Sequence, residues 1–229
     1  MSKSVIKIQS YSQLPALKLQ WLSLKDHFVA TVGPSSGQGE PLGDLLVLAD
    51  ATFQAQSRFP QHPHKDMEIL TWVVKGTLQH YDNNGTNQSV PEMSLQLMSA
   101  RDGIYHAEGN ATDDEVRMLQ IWINPRISGG APEVSQVSLK GSGLQCLAAP
   151  TGSPLIIRQN VWFYAANIEN NGKESFHIPQ GQIGYGISVG SLSWNDVHAQ
   201  DGDGVFLSAG HLEVSGNGQA IIILQNTNR

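Results

Sequence analysis

Cysteine is almost absent: Cys146 stands alone among 229 residues. No disulfide can form within the chain, and no cluster of thiolates can hold a metal. Nothing adjacent to Cys146 would lower its thiol pKa, which points to a small buried residue rather than a nucleophile. Charge is scarce too, at 15% of residues, and 14 Lys and Arg against 20 Asp and Glu leave a net charge of -6. The basic residues form no run or arm, which argues against specific nucleic-acid binding, because a phosphate surface needs a positive patch. No stretch is long and apolar enough to cross a bilayer, and the opening MSKSVIKIQSYSQL has no continuous apolar segment of the signal-peptide kind. A cytoplasmic protein without membrane contact is expected. Sustained 3.6-residue apolar periodicity is missing as well, so helices should be short and peripheral. There is no glycine-rich phosphate loop opening a helix and no nucleophile elbow.

Turn formers are plentiful, with 23 Gly and 11 Pro, and hydrophobic residues at 40% suffice for a sizeable core. Short apolar or alternating runs at 45–48, 69–74, 118–123, 155–157, 183–189 and 220–224 are broken by Gly, Pro, Asn and Asp, as strands are. Asn84-Gly85, between 77–81 and 88–90, is a hairpin signal, because both residues tolerate positive φ. Asp201-Gly202-Asp203-Gly204 marks another tight turn. The architecture expected is all-β, two barrels or sandwiches in tandem. Pro and Gly concentrate at residues 124–133, which places a boundary there and gives domains of 1–126 and 127–229.

Two short patterns in the first half carry chemistry. In His62-Pro63-His64 the imidazoles are two apart, so an extended chain points both to one side, and proline suits a strand start or edge. Alone, the pair reads equally well as surface histidines. Farther on, Tyr105-His106-Ala107-Glu108 repeats the spacing after a turn-forming lead-in, Ser99-Ala100-Arg101-Asp102-Gly103. Two such pairs on separate strands make a site of three histidines and one carboxylate: His62, His64, His106 and Glu108. Neutral imidazoles and one carboxylate would leave a divalent ion with a single positive charge, attractive to an enolate, phenolate or superoxide oxygen. Mixed nitrogen and oxygen ligation suits one divalent transition metal, Fe(II), Mn, Ni, Zn or Cu, and the ligand set alone does not choose among them.

The stretch Phe59-Pro-Gln-His-Pro-His-Lys-Asp-Met-Glu-Ile-Leu-Thr-Trp-Val-Val-Lys-Gly76 resembles the first cupin motif in its pirin-family form. Residues 99–108 resemble that family's second motif, and Gln79-His80, the turn through Gly85, Leu119-Gln120-Ile121-Trp122 and Asp201–Gly204 add further matches. The resemblance implies a bicupin, two tandem jelly-roll-like β-barrels with a metal in the N-terminal one alone, held by the same four residues. It also implies a quercetin 2,3-dioxygenase-like activity on a small aromatic, flavonol-like substrate and O2, with Glu108 as the catalytic base. The alternative that it carries is a regulatory or redox- and metal-sensing protein that binds protein partners without turnover. Two places depart from the family: Pro91-Glu-Met-Ser94 replaces a Pro-Gly-Asp-like turn, and residues 125–134 lack an aromatic ending.

Glu68 shares parity with His62 and His64 if their strand is unbroken, and is expected beside the metal rather than on it. Direct ligation and a solvent-facing position are its alternatives. Gln120 and Trp122 share one face; Gln120 is expected to line the metal cavity and Trp122 to be core. His80, at a hairpin tip, is expected at the surface, and His27, His177, His198 and His211 have no second histidine at i+2.

Overall fold

The structure is a computed structural model that describes residues 2–29 and 42–227. The chain enters through β1 (Ile6–Gln9) and a 3-10 turn at Tyr11–Gln13. There follow β2 (Ala16–Lys18), β3 (Leu22–Val29), β4 (Leu45–Phe53), β5 (Ser57–Arg58), β6 (His62–His64) and β7 (Glu68–Lys75). Next come β8 (Thr77–Asp82), β9 (Asn87–Pro91), β10 (Ser94–Ser99), β11 (Ile104–Asn110), β12 (Val116–Ile123) and β13 (Glu133–Ser138). The rest is β14 (Gln145–Ala149), β15 (Leu155–Ile156), β16 (Val161–Ile178), β17 (Gln182–Trp194), β18 (Val197–Ala199), β19 (Gly204–Leu207) and β20 (Gly210–Asn226). The all-β expectation holds, and no helix among the described residues is long and apolar enough to cross a membrane.

Two compact units divide the chain, one built of Pro15–Ser138 with Ile157–Gln159 and the other of the remaining segments. The crossing is therefore not a single one at residues 124–133. That segment is a loop of the first unit, where Gly129 and Gly130 take φ of 77° and 99°. The carboxylates of Asp66 and Asp102 accept their amides at 3.2 and 3.0 Å. β13 then pairs with β10 along its length.

The first unit stacks a seven-stranded sheet, in the order β13-β10-β7-β12-β4-β3-β2, with a five-stranded one, β5-β11-β8-β9, where β6 also pairs β11. Central strand β7 reads EILTWVVK and is buried up to its last residue, as a near-continuous apolar run requires. Leu22, Ala51, Phe53, Val73, Val116 and Met118 from one sheet close on Leu78 and Val90 from the other. The Asn84-Gly85 turn forms as its sequence demands, with Gly85 at φ 89°. At the departure from the family pattern, Met93 takes φ 55° and completes a tight turn between β9 and β10.

The second unit curls one sheet, β1-β19-β17-β20-β16-β14-β15 with β18 on β17, around its own apolar core. Long strands β16 and β20 bend at a bulge between Ile168 and Gly172.

A charged pair is buried among the described residues of the first unit. Arg117 donates to Asp50 from Nε at 3.0 Å and from Nη2 at 2.6 Å, and Asp50 is 1% exposed. Removing one partner of such a pair costs about 3 kcal/mol or more, because a charge is left buried alone. Arg117→Met should lower the first unit's unfolding free energy by about 3 kcal/mol in a denaturant titration, and the double change Arg117→Met with Asp50→Leu should regain most of that loss.

Candidate metal centre

The site begins at a break in the chain. Asp66 takes φ 47°, and its amide donates to the Arg101 carbonyl at 2.8 Å, which ends β6 before β7 starts. β6 thus joins the five-stranded sheet and β7 the seven-stranded one. Along the β6–β11 ladder His62 stands opposite His106, and His64 opposite Ile104. β11 can be approached closely by β5 because Gly109 carries no side chain; a Cβ there would overlap the Arg58 backbone.

The donor atoms of His62, His64 and His106 all lie within 4.8 Å of one another. Ring centroids are 4.4 Å apart for His62 and His106, 4.9 Å for His62 and His64, and 5.0 Å for His64 and His106. Nδ1 of His62 is tied to the Pro60 carbonyl at 2.8 Å, which fixes its proton there and leaves Nε2 with a lone pair. Nε2 of His64 and both nitrogens of His106 are buried without a partner. Such orphaned atoms are costly unless something occupies them. Burial, aided by neighbouring imidazoles, lowers the pKa of His64 to about 4 and of His106 to about 2. Both rings are neutral at neutral pH, the form that ligates a metal. Three imidazole donors facing one another fit a divalent transition ion, and the triad could hold one.

Glu108 follows His106 on the inner face of β11 and is 1% exposed. It is not among the donors within 4.8 Å of one another. Burial pushes its carboxyl up to about 7, against the opposing effect of Gln120. The Gln120 amide donates to Glu108 Oε1, and Trp122 Nε1 donates to Gln120 Oε1 at 3.2 Å, so a polar chain runs along one face of β12 to the carboxylate. Beside this chain opens a cavity of about 750 Å3, lined among others by Phe59, His62, Met118, Gln120 and Trp122. Gln120 lines this cavity together with His62. Trp122 does more than fill core: it faces the cavity and meets the His64 ring edge-on, with centroids 4.9 Å apart.

Glu68 is neither a solvent-facing residue nor on the strand of the two histidines, because the turn at Asp66 puts it in the other sheet. It is buried, accepts Ser99 Oγ at 2.9 Å and the Arg158 amide at 3.3 Å, and is shifted upward by burial. His80 corrects a second expectation. It is fully buried, its Nε2 3.1 Å from Asp82 Oδ2 and its ring 5.3 Å from that of His106. The signal was available in strand parity, since Leu78 and His80 alternate with the less buried Gln79 and Tyr81. Asp26 gave no signal; it lines the cavity, with its carboxyl pushed up by burial. Cys146 is half-buried with its thiol pushed up, and His27 is buried and neutral, lowered to about 3 by burial. His177 and His211, though apart in sequence, are cross-strand neighbours in the second unit.

Stacked sheets in the first unit enclose a histidine triad that could hold a metal, and a curled sheet forms the second; both have the architecture of the β-barrel class. The sequence pattern described as Pirin matches residues 9–123, and that described as the quercetinase C-terminal cupin domain matches 146–225. The chain belongs to the pirin family, as a protein of two cupin domains. It is 32% identical over 166 residues to quercetin 2,3-dioxygenase of Escherichia coli K12, covering 70% of this chain and 72% of that one. A pirin-like protein of Caulobacter vibrioides is 40% identical over 114 residues, 49% of this chain and 48% of that one. The solved structure of the Escherichia coli bacterial pirin YhhW in complex with nickel(II) superposes with a TM-score of 0.84 at 26% identity, covering 97% of this chain and 99% of that one.

The lowered pKa of His106 has a consequence for the metal-free protein. A depressed folded-state pKa contributes stability that is present above the unfolded value of 6.5 and lost as pH falls below it. Between pH 6.5 and 4.5 the wild type should lose about 1.4 kcal/mol per pH unit more than His106→Gln, read from denaturant curves at each pH.

Proposed function

We propose that the chain is a cytoplasmic metal-dependent dioxygenase that opens flavonol-type substrates with O2. One divalent transition ion, Fe(II) in the first instance, is held by His62, His64, His106 and Glu108, all four in the first unit. The second unit holds none. The observation that carries this reading is the converging triad of His62, His64 and His106 beside a cavity of about 750 Å3 with largely apolar walls. That volume is in the range of sites for drug-sized ligands, and a tricyclic flavonol is of that size. The family and the quercetin 2,3-dioxygenase relative lend support from another direction.

When bound, the ion supplies a positive charge that stabilises an anionic substrate oxygen and brings the reactants together. The chain's own groups do the rest. Apolar side chains such as Phe59 and Met118 exclude water from the ring system. Glu108 accepts the proton of the flavonol 3-hydroxyl on its carboxylate. Gln120, donating to Glu108 Oε1 and itself held by Trp122, fixes the orientation of that carboxylate while the proton moves. Asp26 on the cavity wall is an acceptor for a second hydroxyl of a polyphenol.

The test is purification without chelators, metal quantification by mass spectrometry, and addition of quercetin under air while the flavonol absorbance is followed. One equivalent of metal with metal-dependent bleaching is expected. His106→Ala should lose the ion, whereas Glu108→Gln should keep most of it and lose turnover by at least about 100-fold, the scale of a general base. Bleaching at the wild-type rate in Glu108→Gln would reject its role as base. Full occupancy without any bleaching would reject the enzyme in favour of a sensor that binds partners.

A further inference from the structure

Beneath the triad lies a polar pair that the proposed reaction does not use. His80 sits on β8, opposite Glu108 in the ladder with β11, while Asp82 sits opposite His106. The side chains of both are shut off from solvent, at 1% and 0% exposure. Asp82 is ionised: burial pushes its carboxyl upward, but hydrogen bonds from Thr86, His80 and Asn84 outweigh this and hold it below the ordinary value. Its Oδ1 accepts the amides of Asn84 at 2.8 Å and Thr86 at 3.0 Å, so the hairpin turn anchors it. A carboxylate can only accept, so the Oδ2 contact at 3.1 Å puts the His80 proton on Nε2. Nδ1 of His80 is left as a bare lone pair, buried and without a partner.

Next to it His106 has the complementary deficit, with both ring nitrogens buried and unpartnered. An imidazole that gives one nitrogen to a metal carries a proton on the other, and that N–H needs an acceptor. His62 already has one in the Pro60 carbonyl. The centroids of His80 and His106 are 5.3 Å apart with the rings tilted by 41°. Once the ring radii are subtracted, that spacing leaves room for one N–H···N bond of about 3 Å.

We propose that His80 is a positioning residue for the metal site: its bare Nδ1 accepts the Nδ1–H of His106, so that His106 presents Nε2 to the ion. Asp82, His80 and His106 then form a relay from the 83–86 turn to the triad, which sets the tautomer of His106 and turns its ring. This rests on the reading of the triad as a metal site and adds a residue that would not touch the ion.

Zinc(II) affinity, measured by competition with a chromophoric chelator, tests the proposal without reference to turnover. His80→Leu should bind zinc roughly 10- to 100-fold more weakly, the usual effect of losing such a partner. His80→Gln, whose amide oxygen can accept the same proton, should recover most of that loss. A merely space-filling histidine would give the opposite order, or no difference. Long-range 15N NMR on the zinc-loaded wild type needs no variant. It should show His106 protonated at Nδ1 and zinc-shifted at Nε2, with His80 protonated at Nε2 only. Wild-type protein that binds one zinc while His80 is protonated at Nδ1, or while His80→Leu binds equally well, would overturn this inference and leave the metal site standing. Wild-type protein that takes up no zinc would overturn both.

Discussion

Everything at the site depends on one backbone pairing, the short antiparallel ladder of β6 against β11. Its register places His62 across from His106, and its pleat turns His64 to the same side. A slip of β6 by one residue would swing His62 and His64 to the opposite face, away from His106. The ladder also brings the rings close together. Burial keeps the proton off His64 and His106, so three imidazoles share a small volume with less mutual repulsion than charged rings would feel.

The parts of this arrangement that are periodic could be read directly from residues. His62 and His64, and His106 and Glu108, are separated by two, and extended backbone turns that spacing into a shared face. Gln120 and Trp122 follow the same rule. What escaped was non-local. The break at Asp66 occurs in Lys65-Asp66-Met67, where neither Gly nor Pro announces a turn, and the Arg101 carbonyl that stabilises it lies far along the chain. Glu68 therefore seemed to continue a strand that in fact ends before it. Residues 124–133 have the composition of a linker, but carboxylates of Asp66 and Asp102 pin their glycines within the first unit. His80 differs from expectation for another reason: proximity to a hairpin tip points to exposure, whereas side-chain parity turns it inward.

Comparison of the interiors shows why one unit has a candidate site and the other has none among its described residues. On the cavity side of the first unit, Val47, Ala49 and Ala51 of β4 are small, which leaves room in front of Gln120 and Trp122. In the second unit the corresponding space is filled. Trp194 is fully buried there, its indole packs so closely over Gly186 that a Cβ would collide with the ring, and its Nε1 donates to Ser188 Oγ at 2.7 Å. Leu192, Ile178, Leu212 and Ile222 complete an apolar interior. Such a core gives stability in proportion to the area that it hides and offers no lone pair to an ion.

The excursion of Ile157–Gln159 into the first unit bears on inheritance. In these three residues Ile157 is buried, the Arg158 amide reaches the Glu68 carboxylate, and the Gln159 side chain caps the Asn124 carbonyl at 2.8 Å. A gene severed after Ser138 would yield a first unit whose buried Glu68 has lost a donor, and a second deprived of Met1–Leu14, the segment that carries β1. Neither half could be shuffled into another protein as a ready-made module. Any duplication, fusion or transplant that preserves the site must therefore carry the chain past Gln159.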